Sequence, residues 1–126
     1  MAGKIIADQI EHSTAGSLDT SYVVNGSAKA WVSFTGTGTI ALRDSSSISS
    51  IADNGTGDYS INFANAMNNA DYSHTNAVGR TGSANATTTT WTDQTTSQTQ
   101  VHSRDVVLNA ALDVELASSA IHGDLA

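Results

Sequence analysis

The stretch Ser49-Ser50-Ile51-Ala52-Asp53-Asn54-Gly55-Thr56-Gly57-Asp58-Tyr59-Ser60-Ile61-Asn62-Phe63 decides the fold. In its second half Tyr59, Ile61 and Phe63 alternate with Ser60 and Asn62, the period of two expected of a strand with one face buried and the other wet. Its middle, Asp53 to Asp58, supplies an asparagine and two glycines, which reach positive φ at little steric cost and let two antiparallel strands join over a short connection. A β-hairpin follows. On its first arm Ile48 and Ile51 are three residues apart and cannot share a face of a regular strand, so a bulge or an early strand end is expected there.

Upstream of the hairpin, Ala30, Val32 and Phe34 fall on one face of a strand over residues 28–34, with Trp31 and Ser33 on the other. Gly36 and Gly38 then punctuate the chain before a short strand from Ile40 to Arg43. Downstream, residues 65–71 read as a helical turn or a loop, and Tyr72 opens an extended stretch through Val78. The Thr-rich region 82–100 has the composition of a disordered polar tract, yet Thr is β-branched and favours strands. Two strands with a loop near Asp93 and Gln94 are the preferred reading. Residues 106–116 can be counted two ways: Leu108, Ala110, Leu112, Val114 and Leu116 alternate as in a strand, while Val107, Ala110, Ala111 and Val114 satisfy helical spacing. The longer alternation favours a strand, and Ser119 to His122 reads as a closing one. The sum is an all-β domain over residues 21–126, an antiparallel, jelly-roll-like β-sandwich of about eight short strands. Residues 1–20 precede it as an arm or short helix.

Composition bounds the function classes. Of 126 residues 39% are hydrophobic but only 6% aromatic, so the core is thin and self-association would bury apolar surface that the single chain leaves open. Charged residues make up 13%, and Ser and Thr dominate the polar positions, which suits a surface covered by partner chains or facing the outside world. A net charge of −7 with five Lys and Arg argues against nucleic acid as a partner, since phosphate binding relies on clustered cations. The absence of cysteine removes disulfides, thiolate catalysis and Cys-type zinc sites. The opening Met1 to Ile10 carries a short apolar patch interrupted by Lys4, Asp8 and Gln9, so neither a signal-peptide core nor a membrane span is expected. Ile5, Ile6 and Ile10, beside Asp8, Gln9 and Glu11, form a segment too short to be stable without a neighbour to pack on.

No Gly-x-Ser-x-Gly elbow, phosphate loop or His-Glu-x-x-His pair occurs, so no catalytic residue is assigned and the chain reads as a non-enzyme. The loop Asp53 to Asp58 carries oxygen ligands suited to calcium, but lacks EF-hand spacing, and turn chemistry accounts for each of its residues. His12, His74, His102 and His122 lack the paired spacing of metal ligands. No metal or cofactor is expected. Trp31, Phe34, Tyr59 and Phe63 read as packing residues.

Four segments carry a family resemblance: the leader Gly3-Lys4-Ile5-Ile6-Ala7-Asp8-Gln9-Ile10, the segment Ala28-Lys29-Ala30-Trp31-Val32, the run Ser50 to Ala70, and the ending His122-Gly123-Asp124-Leu125-Ala126. Together they resemble a module of tail-fibre, receptor-binding and other virion structural proteins of marine and freshwater phages, including cyanophages. The resemblance implies a homotrimer on the virion exterior, synthesised in the host cytoplasm, with other virion proteins as partners and no membrane insertion. It implies a tail-fibre or receptor-binding role in host attachment, with a capsid decoration protein, a cement or knob on the head surface, as the alternative. On this reading Ile5, Ile6 and Ile10 attach the chain to the particle. Contact with a host surface glycan falls to Tyr72, His74 and Trp91, aromatic or imidazole groups flanked by hydrogen-bonding Thr and Asn, although Tyr72 and Trp91 serve equally well as core.

Overall fold

The computed structural model describes residues 3–81 and 87–125. The chain begins with β1 (Gln9–His12), β2 (Gly16–Asp19) and a short helix, α1 (Thr20–Gly26). Then come β3 (Ala30–Thr35), β4 (Ala41–Ser46), β5 (Ile48–Gly55), β6 (Asp58–Phe63) and β7 (Ser73–Gly79). Last are β8 (Thr87–Gln94), β9 (Gln98–Asp105), the two-residue β10 (Ala110–Ala111) and β11 (Leu116–His122).

Two antiparallel sheets face each other. One has the order β4-β3-β11-β7. In the other β9 is central: β8 lies along one edge, and β6 followed end-on by β10 lies along the opposite edge, with β5 outside β6. The chain crosses from sheet to sheet between β4 and β5, β6 and β7, β7 and β8, and β10 and β11. At the first crossing Ser47 takes φ 57°, and its carbonyl accepts the Ala64 N–H at 2.9 Å. The fold is therefore an all-β sandwich, with a separate β1–β2 hairpin at its N-terminal end.

The decisive hairpin forms as its sequence dictates. β5 and β6 pair from Ile48↔Phe63 to Gly55↔Asp58, leaving Thr56 and Gly57 at the turn, with Gly55 at φ 137° and Gly57 at φ 67°. A register shift between Ile48 and Ser50 is the expected bulge, and it lets Ile48 and Ile51 both pack on the core.

The core lies between the sheets. Ala30, Val32 and Phe34 of β3 with Ala117 and Ile121 of β11 meet Tyr59, Ile61 and Phe63 of β6 and Val101 of β9. Phe34 and Tyr59 pack edge to face across the sandwich at 5.2 Å between ring centroids, and Phe63 and Tyr72 do the same at 5.6 Å. Trp31 is a correction. It is 38% exposed on the outer face of β3, so three of the four expected packing aromatics are core and Trp31 is not.

Residues 106–116 also depart from expectation, being neither a long strand nor a helix. The buried Asp105 carboxylate accepts the N–H groups of Val107 and Leu108 at 2.9 and 3.0 Å, and Asn109 takes φ 49°, so local turn chemistry bends the chain back on β9. Only Ala110 and Ala111 then pair, before the chain leaves to begin β11. From residue 87 on the Thr-rich region forms strands: β8 pairs antiparallel with β9, and Asp93 and Gln94 belong to β8, so the loop lies at residues 95–97 and not at the expected position; residues 82–86 lie outside the described residues. Residues 65–71 form a loop with one isolated bridge, Met67 to Leu125.

Candidate functional surfaces

The N-terminal unit is built by local chemistry alone. In the β1–β2 connection the His12 ring Nδ1 lies 3.3 Å from the Thr14 amide and 3.2 Å from that of Ala15, and Gly16 takes φ 95°. Asp19 caps α1 by accepting the Ser21 N–H at 2.8 Å, a bond that holds its carboxyl below the usual range. Thr20 ties the helix to the incoming chain, donating its N–H to the Asp8 carbonyl at 2.9 Å and its hydroxyl to the Ala7 carbonyl at 2.7 Å. Yet no residue from Gly3 to Ala28 is buried. Ile5 and Ile6 are 93% and 83% exposed, and with Ile10, Val23 and Val24 they line an open concavity of about 410 Å³. Ile5, Ile6 and Ile10 thus share one surface, and α1, which the sequence reading did not foresee, contributes to it.

Of the residues assigned to glycan contact, Tyr72 is corrected. It is buried against Phe63, and its hydroxyl lies 3.1 and 3.0 Å from the Thr95 and Gln98 carbonyls, so its ring offers no platform. Burial also raises its phenol pKa. His74, half-buried on β7, faces inward: Nδ1 lies 3.0 Å from Thr99 Oγ1, and Nε2 is shielded from water without a partner. Burial pushes its pKa down to about 4, so the ring is neutral at pH 7, and its contact with Thr99 ties β7 to β9. The Trp91 backbone pairs with Val101 in the β8–β9 ladder, and its side chain lies outside the described residues.

Among the described side chains of the sandwich, the exposed aromatic is Trp31. Its cross-strand neighbours are Ala120 on β11 and Ser46 on β4, with Thr75 of β7 next in the same row. Ser118, Ser33 and Asp44 form the adjacent row. The indole therefore stands among small residues, hydroxyls and one carboxylate on the outer face of the sheet. Alternation against the buried Ala30, Val32 and Phe34 was the signal that places it there.

The Asp53–Asp58 loop uses its polar atoms on itself. Asp53 accepts the Gly55 N–H at 3.0 Å, Asn54 donates to Asp58 at 3.2 Å and to Ser60 at 2.8 Å, and His102 approaches Asp58 at 3.3 Å. Behind it, Asp113 accepts the Gly57 N–H at 2.7 Å and lies 3.1 Å from the Tyr59 hydroxyl, which also lies 3.3 Å from the Gly36 carbonyl. Desolvation first, then the Asp113 charge, push the Tyr59 pKa up to about 12, so this phenol stays protonated and acts as a strut. Next to this lock, Val106, Val107 and Leu108 are exposed at the turn that Asp105 holds. Arg80 approaches the other Asp105 oxygen at 3.7 Å. Among the described residues no group of three His, Asp or Glu side chains is placed to hold a metal ion. Comparison with known proteins finds no match among protein families, curated proteins or solved structures.

Proposed function

We propose that this chain is a non-enzymatic structural protein of the phage particle exterior, a homotrimeric tail-fibre or receptor-binding component that mediates host attachment. One observation carries the reading: a well-packed sandwich is joined to an N-terminal unit that has regular structure but buries nothing. Such a division suits a body that faces outward and a surface reserved for assembly. The family resemblance of the leader, the hairpin run and the ending supplies the phage setting. A non-catalytic role is supported by the use of Tyr59, Asp113, Asp105 and His74 in holding the fold together.

Glycan contact moves to the Trp31 face, where an exposed indole can stack on a sugar ring and Ser33, Ser46, Thr75, Ser118 and Asp44 offer donors and acceptors around it. Three such faces on one trimer would turn weak contacts into useful avidity. The N-terminal unit, with Ile5, Ile6 and Ile10, holds the protein to the virion. A capsid decoration protein is the second reading, favoured by the same N-terminal surface if it seats on the head.

Labelling the protein on intact particles is the test. A handful of copies at the tail supports the fibre reading, hundreds on the head support decoration, and absence from particles overturns both. Purified protein that binds host cells, with binding lost in Trp31→Ala, supports the receptor surface.

A further inference from the structure

We infer that the apolar face of the N-terminal unit is covered by the same face of other copies of this chain, so that Ile5, Ile6 and Ile10 serve attachment by gathering the N-terminal units into one base that the virion then holds. The inference deepens the proposed function and rests on its placement of the N-terminal unit in assembly. Two-stranded hairpins and helices of two turns are marginal in water, and here neither rests on the sandwich core. Their order therefore requires a cover that is present whenever the chain is folded. A second copy meets that condition by mass action at the site of synthesis, as in obligate oligomers whose isolated subunits are not stably folded.

Area points the same way. Ile5, Ile6, Ile10, Leu18, Val23 and Val24 together leave on the order of 700 Å² open, close to the ~800 Å² that each partner buries in a stable interface. The face is aliphatic, the composition of homomeric interfaces rather than of transient ones. Its shape also suits packing against another copy, because the concavity is open and Ile5 and Ile6, which line it together with Ile10, Val23 and Val24, are themselves almost fully exposed. Ile10 and Leu18 stand opposite each other in the β1–β2 ladder and so extend the same face.

The full chain is tested by sedimentation and light scattering at tens of micromolar. The native protein is expected at a multiple of its 13.0 kDa mass, and Ile6→Asp and Val24→Asp at the single-chain mass, with the sandwich's β-sheet circular dichroism signal kept and only the small contribution of β1, β2 and α1 lost. Because the chain has no cysteine, Ile6→Cys provides a second readout: mild oxidation should link copies through residue 6, while Thr37→Cys, on the sandwich, should not. A native chain at 13.0 kDa overturns the inference, as does an oligomer that survives both aspartate variants and forms no link at residue 6. A single-chain species still found on particles would remove this inference and leave the location reading standing. An oligomer absent from particles would do the reverse.

Discussion

Acid should weaken this fold through one imidazole. His74 has its Nδ1 at Thr99 Oγ1 and its Nε2 enclosed without an acceptor, so a second ring proton would sit where nothing can receive it. Its pKa is about 4 in the folded chain against 6.5 when free, so the unfolded chain binds the proton more tightly. The stabilisation from keeping His74 neutral is therefore complete above pH 6.5 and is lost progressively as pH falls from 6.5 toward 4. At ~1.4 kcal/mol per tenfold change in proton affinity, the gap sets a ceiling of ~3 kcal/mol. The ring is only half-buried, and solvent screening reduces the expected loss to ~1–2 kcal/mol. Urea titrations at pH 8, 7, 6, 5 and 4.5, followed by circular dichroism, measure it. In His74→Gln, which keeps a polar partner near Thr99 but does not titrate, the fall between pH 6.5 and 4.5 should be smaller by that amount. Parallel curves for the two proteins would refute the assignment.

Gly57→Ala should cost about 2–4 kcal/mol, because residue 57 has φ 67° and an added Cβ would meet the Ser103 carbonyl oxygen at 2.5 Å and Leu112 backbone atoms at 2.8 Å; thermal unfolding reads it. Tyr59→Phe removes the hydroxyl that faces Asp113 and Gly36, and a loss of ~1–2 kcal/mol in urea unfolding is expected. Phe34→Ala empties a fully buried site against Tyr59 and should cost ~3–5 kcal/mol, enough to deplete folded protein at 37 °C. Val107→Ser and Leu108→Ser alter exposed side chains whose backbone is held by Asp105, so each should change the melting midpoint by less than about 2 °C.

The hairpin, the buried faces of β3 and β6, the bulge at Ile48 and the strand character of the Thr-rich region were all legible because each depends on near neighbours in the chain. Period-two alternation and turn residues are local physics. Residues 106–116 misled for the complementary reason: their alternation was real, but a strand needs a free edge, and Asp105 and Asn109 had already committed the chain to a turn. The inward side of Tyr72 and His74 was not legible because a phenol or imidazole reads the same in sequence whether its partner is water or, as here, the Thr95 and Gln98 carbonyls for Tyr72 and the Thr99 hydroxyl for His74. Alternation puts Trp31 on the outward side of its strand, and there it outweighs the general tendency of large aromatic side chains to be buried.

By itself the sequence determined what short-range sterics and hydrogen bonding can determine: where strands run, where the chain turns, and that no cysteine chemistry is available. The tertiary structure alone decided which strand lies beside which, and hence that Asp113 reaches the Gly57 turn and Tyr59, and that His74 meets Thr99. It also decided that the N-terminal isoleucines join α1 in a face with nothing over it. Those contacts join residues far apart in the chain, and their energies arise from desolvation and packing that no local pattern encodes.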